Sequence, residues 1–290
     1  MADALEGLGP GTDELQELLE VALAAAEAGA QVLRGRDAAA FEAVTKSSDG
    51  DWVTAFDVAA EEAVTAVLRE RRPYDAITGE ESGTWVPPQR SGLRWSVDPL
   101  DGTTNFIRDI VYYATSVAAC DEQGNWLVGV VNAPALGRVY YGITGLGAWV
   151  RRQGRDTRLS GPVPGQRGAL YGTGFSYDAQ VRREQFGSFL DTMEDYSDMR
   201  RLGAASLDLC MVADGTLDGY SERALHEHDW AAGALIAHEA GAVVHRPDLP
   251  APPALCDESH GNAAPEPLQQ REAEYEKARL ASAIAAWSAG

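Results

Sequence analysis

Residues 95–107 read Trp-Ser-Val-Asp-Pro-Leu-Asp-Gly-Thr-Thr-Asn-Phe-Ile, an apolar run that breaks off into two aspartates, a glycine and paired threonines. The segment from Leu93 to Val97 predicts a buried strand, and Pro99, which has no amide to give a ladder, is expected to stop it. Asp98 and Asp101 then leave the end of one rigid element together. Two desolvated carboxylates about 4 Å apart repel by about 4 kcal/mol at an effective dielectric of 20, and a divalent cation between them removes that cost. Gly102, Thr103 and Thr104 can open a helix whose free amides and positive dipole end face an anion. Taken alone, Asp101-Gly102 is more often a hairpin turn than a site, so the rest of the chain must decide.

The bounds are wide in fold and narrow in partner. A chain of 290 residues suffices for one large domain or two small ones sharing a core. A formal charge of -20 argues against nucleic-acid or anionic-membrane partners, which need clustered Lys and Arg. Cys120, Cys210 and Cys256 form no CxxC pair, so neither a disulfide framework nor a zinc site is expected, and a reducing, cytoplasmic setting fits. The first residues lack a basic n-region, and no apolar stretch reaches spanning length.

In chain order, Leu15, Leu18, Leu19, Ala22, Ala26 and Leu33 recur on one face and predict a helix capped by Thr12 or Asp13. A second helix carries Val64, Val67 and Leu68, with Asp57 as its expected N-cap. Ala76 to Thr78 reads as a brief strand running into Gly79-Glu-Glu-Ser-Gly83, where Glu80 or Glu81 becomes an oxygen ligand if this strand neighbours the one ending at Asp98; a solvated loop is the alternative. A β-meander follows over residues 112–119, 126–131, 138–141 and 148–150. Residues 154–168, rich in Pro and Gly, read as the passage between an N-terminal half (1–153) bearing the motifs and a C-terminal half (154–290) that completes one compact unit. Beyond it, residues 170–174 read as a strand ending in a bend, and helices are expected over 181–196, from Leu202 through Val212, and over Asp229 to Gly241 with the aspartate as cap. Residues 246–275 look loosely ordered, and an Ala-rich helix is expected to run to about Trp287.

Asp57, Glu80, the Asp98 and Asp101 pair, and Asp229 thus stand at element ends in separate parts of the sequence. The combination of Lys46-Ser-Ser with Asp51, Val53-Thr54 and Asp57, of Gly79-Glu-Glu-Ser82, of residues 98–106, of Gly203-Ala-Ala205 and of Asp229-Trp-Ala-Ala-Gly233 resembles the inositol monophosphatase family, the magnesium-dependent, lithium-sensitive phosphatases. The resemblance covers roughly residues 12 to 246. It implies an α/β fold of the sugar-phosphatase type, an alternating αβαβα layered sandwich, and a homodimer.

It also implies roles. Glu80, Asp98 and the carbonyl of Leu100 resemble the ligands of a first Mg2+; Asp98, Asp101 and Asp229 resemble those of a second; and Glu80 with Asp57 would touch a water or a weaker third ion. Gly102 and Thr103 would give amides to the phosphate, while the Thr103 hydroxyl with Asp57 would place the attacking water. Asp101, Ala205 and Glu222 match the positions that meet ring hydroxyls in inositol-handling members, with Asp229 close by. Hard oxygen donors favour magnesium over zinc or copper. Phosphate monoester hydrolysis, very slow when uncatalysed, calls mainly for charge stabilisation, which two ions roughly 4 Å apart supply.

The expected substrate is a small phosphate monoester, first inositol 1-phosphate. Histidinol phosphate, fructose 1,6-bisphosphate and 3'-phosphoadenosine phosphates are the rivals in class, the last two wanting a basic pocket for which Arg108, Arg200 and Arg201 are the residues to watch. A regulatory binding protein on the same fold is the rival of another class. Three departures stand out: His228 where the family usually has Trp, Arg108-Asp109 after the central motif, and no apolar strand expected after Pro247. No histidine, among His226, His228, His238, His245 and His260, shows metal-binding spacing, and none is assigned catalysis.

Overall fold

The computed structural model describes residues 12–36, 43–45, 52–163, 168–176, 178–245 and 283–286; the Lys46-Ser-Ser run and Asp51 lie outside them, as does the stretch 246–282. Helix α1 (Thr12–Arg34) forms where the apolar spacing places it, burying Leu18, Leu19, Ala22, Ala26 and Leu33. It packs beside α2 (Ala55–Arg71), and both lie on one face of an eight-stranded sheet against Trp95, Val97, Val117, Val128 and Val130. A fully buried leucine at this interface stabilises the fold by about 1.5–3 kcal/mol, so the two-helix layer is a large part of what holds the sheet.

Strands β1 (Ala43–Thr45) and β2 (Trp52–Thr54) pair antiparallel with each other ahead of α2. The eight-stranded sheet runs β10 (Arg155–Arg158), β9 (Gly147–Arg152), β8 (Arg138–Ile143), β7 (Trp126–Ala133), β6 (Ala114–Cys120), β5 (Arg94–Asp101), β3 (Ala76–Gly79), β4 (Gly83–Trp85). Neighbours are antiparallel except β3 and β5. Sharing a parallel ladder, β3 and β5 end at the same edge, and this brings the Glu80 loop to the aspartates. Strand β6 is buried along its whole length because both faces are covered: Val117 and Ala119 meet α1 and α2, while Ala114, Ala118 and Cys120 face the opposite core.

Pro99 does not end its strand. Pairing of β5 with β3 stops at Val97, and its register with β6 shifts between Asp98 and Asp101. The proline sits in that irregularity, where no ladder amide is demanded, so the strand continues through it to Asp101.

The opposite face of the sheet is covered by α5 (Ala205–Ala213) and α6 (Glu227–Glu239). The approach is close: a Cβ on Gly129 would come within 2.9 Å of the Ala232 backbone, and one on Gly142 within 3.2 Å of Ile236. Beyond these helices lies a second sheet, ordered β12 (Asp198–Arg200), β11 (Leu170–Thr173), β13 (Gly219–Glu222), β15 (Ala283–Ala286), β14 (Val243–His245). Strand β11 is parallel to both β12 and β13. The chain steps from β11 to β12 through α4 (Ala179–Thr192), then back past β11 to β13 through α5. Right-handed crossovers in opposite directions put their helices on opposite faces, so α4 forms the outer layer. The result is the expected αβαβα sandwich.

Two expectations for the C-terminal region fail. Residues 283–286 are a strand, paired antiparallel with β13 and β14, where an Ala-rich helix was expected; this strand also fills the place thought to lack one. Alanine is the strongest helix former, but here the open edge of β13 and the unpaired β14 outweigh that local preference. Among the described residues no helix is long and apolar enough to cross a membrane.

Candidate metal and phosphate site

Four elements converge at the end of β5. Strand β5 itself supplies Asp98 and Asp101, the turn after β3 supplies Glu80, α2 supplies Asp57, and α6 supplies Asp229. Their closeness shows in the electrostatics: Asp98 feels the charges of Glu80, Asp101 and Asp229, while Asp57 feels Glu80. The sequence-expected acidic set is therefore gathered in one place.

Asp57 and Asp229 are not the helix caps. Thr54 caps α2 and His226 caps α6, and each aspartate occupies the third position of a capping box. Asp57 Oδ2 accepts from the Thr54 amide at 2.7 Å and the Thr54 hydroxyl at 2.6 Å, and Asp229 Oδ2 accepts from the His226 amide at 2.5 Å. One oxygen of each carboxylate is thereby fixed by the helix start, which leaves a second oxygen for another partner. At Asp57 that second oxygen accepts from Thr103 Oγ1 at 3.0 Å.

The central motif is held as tightly. Gly102 adopts φ 91°, a left-handed conformation that favours glycine, and a Cβ there would meet the Tyr112 carbonyl at 2.9 Å. This turn starts the short helix α3 (Thr103–Ile107). Asp98 Oδ1 accepts from the Leu100 amide at 3.0 Å, and the Leu100 carbonyl also lies 3.0 Å from Thr103 Oγ1, so that it and Asp57 share the one proton of that hydroxyl. The Asn105 side-chain amide donates to the Tyr112 and Leu202 carbonyls, at 2.7 and 2.8 Å, tying the motif to the approach of α5.

Asp101 takes the amides of Ala205 and Ser206, at 3.2 and 2.7 Å, and the Ser206 hydroxyl at 2.5 Å. Burial raises its carboxyl to about 7, with Glu222 and Glu80 adding to the rise and Ser206 opposing it. Burial also drives Asp98 and Asp229 well above the usual carboxylate range, and neighbouring carboxylates push the same way. Such a cluster is unstable when fully ionised, and a hard divalent cation is the ligand that oxygen donors of this kind suit.

Glu222, at the end of β13, accepts from the Tyr220 hydroxyl at 2.5 Å, and burial raises its carboxyl. A Cβ on Gly174 would fall 1.9 Å from the Glu222 carboxylate, so the missing side chain at 174 is what seats it. Glu222 and Ala205 thus join the same region from the second half of the chain, as Asp101's neighbours.

Three residues escaped the sequence reading. Glu61 in α2, only 3% exposed, accepts from the amides of Glu81 and Ser82, both at 2.8 Å, and so anchors the Glu80 turn. Its spacing, four residues after Asp57, was the available signal. Asp208 in α5 is buried, accepts from the Tyr112 hydroxyl at 2.8 Å, and leaves Oδ2 without a hydrogen-bond partner. His228, expected to take no part, lies with Glu80 and Asp98 such that one donor atom from each falls within 4.8 Å of the others. Sequence spacing could not reveal it because its neighbours come from β5 and the turn after β3.

A model of the inositol monophosphatase family matches residues 14–285. The inositol-1-monophosphatase of Mycobacterium bovis is 40% identical over 237 residues, which span 76% of this chain and 80% of that protein. The Nus factor SuhB of Pasteurella multocida is 36% identical over 235 residues, spanning 79% and 85%. Among solved structures, Mycobacterium tuberculosis SuhB superposes with a TM-score of 0.68 at 38% identity, covering 78% of this chain and 85% of that one.

Proposed function

Since this chain belongs to the inositol monophosphatase family, we propose that it is a magnesium-dependent phosphomonoesterase acting on inositol 1-phosphate to give inositol and phosphate. The observation that carries the reading is the convergence of Asp57, Glu80, Asp98, Asp101 and Asp229 on one another's charges at the end of β5. In this reading Glu80, Asp98 and the Leu100 carbonyl hold one cation, Asp98, Asp101 and Asp229 hold a second, and Glu80 with Asp57 serve a weaker third. When bound, such cations lower the pKa of a coordinated water and neutralise charge on phosphoryl and leaving oxygens.

The chain's own groups supply position. Thr103 Oγ1 gives its proton toward Asp57 Oδ1 and keeps lone pairs to accept from the attacking water. Gly102 and Thr103 amides donate to phosphate oxygens, holding phosphorus in line between that water and the ester oxygen. Asp101, the Ala205 backbone and Glu222 receive the alcohol, and Asp229 borders it. A glutamate that accepts from two vicinal hydroxyls suits a polyol. The two halves act as one catalytic unit, in a cytoplasmic homodimer sensitive to lithium.

Phosphate release from inositol, histidinol, fructose and adenosine phosphates, with and without magnesium, tests the proposal. Turnover should be highest on inositol 1-phosphate and be abolished by chelation and by Asp98→Asn. Faster turnover of histidinol phosphate would overturn the substrate and leave the chemistry. A second reading, a regulatory protein on this fold, draws on the relative named as a Nus factor; failure to hydrolyse any ester in the presence of magnesium would favour it.

A further inference from the structure

We propose that His228 is a nitrogen ligand to the cation held by Glu80 and Asp98, giving the site a mixed nitrogen and oxygen donor set that raises affinity for a first-row transition ion such as Mn2+ more than for Mg2+. The inference rests on the reading of Glu80 and Asp98 as ligands. Its own basis is geometric: donor atoms of Glu80, Asp98 and His228 all lie within 4.8 Å of one another. Donors around one six-coordinate ion stand roughly 3 to 4.2 Å apart, given bonds of about 2.1 Å, so side-chain rotations of a few tenths of an ångström complete the set.

The imidazole is also held in place. His228 follows the capping residue of α6 by two positions, and its carbonyl accepts from the Ser116 hydroxyl at 3.4 Å. Its ring stacks on that of His226, with centroids 5.5 Å apart and planes 20° from parallel. Nε2 stands 3.8 Å from Asp229 Oδ1, the carboxylate oxygen that the His226 amide leaves untouched. The side chain is 15% exposed, so it is drawn into the acidic basket rather than left in solvent. An imidazole among carboxylates raises affinity for first-row transition ions more than for magnesium, which prefers oxygen and water.

Manganese itself is the probe. Chelator-stripped full-length protein loaded with Mn2+ should give 14N modulation of a coordinated imidazole in pulsed electron paramagnetic resonance. The signal should persist in His226→Phe and vanish in His228→Phe and His228→Gln, the pair guarding against a fold defect in either variant. By calorimetry, the Mn2+ affinity should fall about tenfold in both His228 variants, while that for Mg2+ changes less than about threefold. Manganese bound without nitrogen modulation, or with unchanged affinity in both variants, overturns the ligand assignment and leaves the Glu80 and Asp98 reading standing. No Mn2+ or Mg2+ binding by the unaltered protein would overturn both.

Discussion

Thr103 Oγ1 lies 3.0 Å from Asp57 Oδ1, a bond that joins the central motif to a helix beginning nearly fifty residues earlier. Both partners are pinned, Asp57 by the Thr54 capping box and Thr103 by the Gly102 turn. Thr103→Val keeps the shape and deletes the hydroxyl. The kcat should fall about a hundredfold and stability by about 1 kcal/mol, with Thr103→Ser restoring most of the rate. Steady-state kinetics on all three proteins checks this; near-normal turnover by the valine variant would remove Thr103 from water positioning.

Glu61 should matter to cation binding without touching a cation. Its two oxygens each take a backbone amide of the turn that carries Glu80. Glu61→Gln turns an NH2 toward one of those donors, at a cost of about 1–3 kcal/mol. Magnesium affinity should weaken along with thermal stability. A variant that loses stability while binding magnesium normally would show Glu61 to be structural only.

Asp208 gives a pH signature. Burial holds its carboxyl well above the usual range, against the lowering effect of the Tyr112 hydroxyl, while Glu222 and Asp101 add to the rise. The folded state therefore binds this proton more tightly than the unfolded state does. Its stabilising contribution is complete below about pH 4, the unfolded value, and is lost as pH rises toward the folded one, by up to about 1.4 kcal/mol per pH unit. Asp208→Asn lacks that slope, so its stability relative to the unaltered protein should improve steadily above pH 4. Urea unfolding of both proteins from pH 4 to 8 measures the difference; parallel curves would contradict the raised carboxyl.

Gly174→Ala separates alcohol recognition from chemistry. The new methyl would occupy the space of the Glu222 carboxylate, which must swing away. The displaced group is the end of a flexible side chain, so folding should be little affected. The KM for inositol 1-phosphate should rise about tenfold, roughly the 1–1.5 kcal/mol of one hydrogen bond, while hydrolysis of p-nitrophenyl phosphate stays near normal. Equal losses on both esters would place Glu222 in the chemistry instead.

Much of this was legible in one dimension because the periodicities are strong. The apolar stripe of α1 reports a buried face, the short apolar runs of β6 to β8 report buried strands, and the carboxylates stand out as polar groups just beyond apolar runs. What stayed hidden depends on distant partners. Pro99 reads as a stop until β6 is seen to slip its register around it, and Ala283–Ala286 reads as helix until β13 and β14 offer it two edges. Asp57 and Asp229 look like caps because an aspartate near a helix start usually is one; only the Thr54 and His226 backbone conformations distinguish the first position from the third. The contacts of Glu61 and His228 cross between elements and leave no local trace.

Strand β15 lies between β13 and β14, yet it comes after both in the chain. As the polypeptide leaves the ribosome, β14 therefore emerges with no neighbour to join and must wait until residues 246–282 have been made before its place in the sheet exists. The first sheet faces no such delay, since β3 to β10 are contiguous in sequence. The order of synthesis thus leaves the second layer open longest, and a nascent chain arrested before Ala283 should be far more sensitive to protease around Val243 than the finished one.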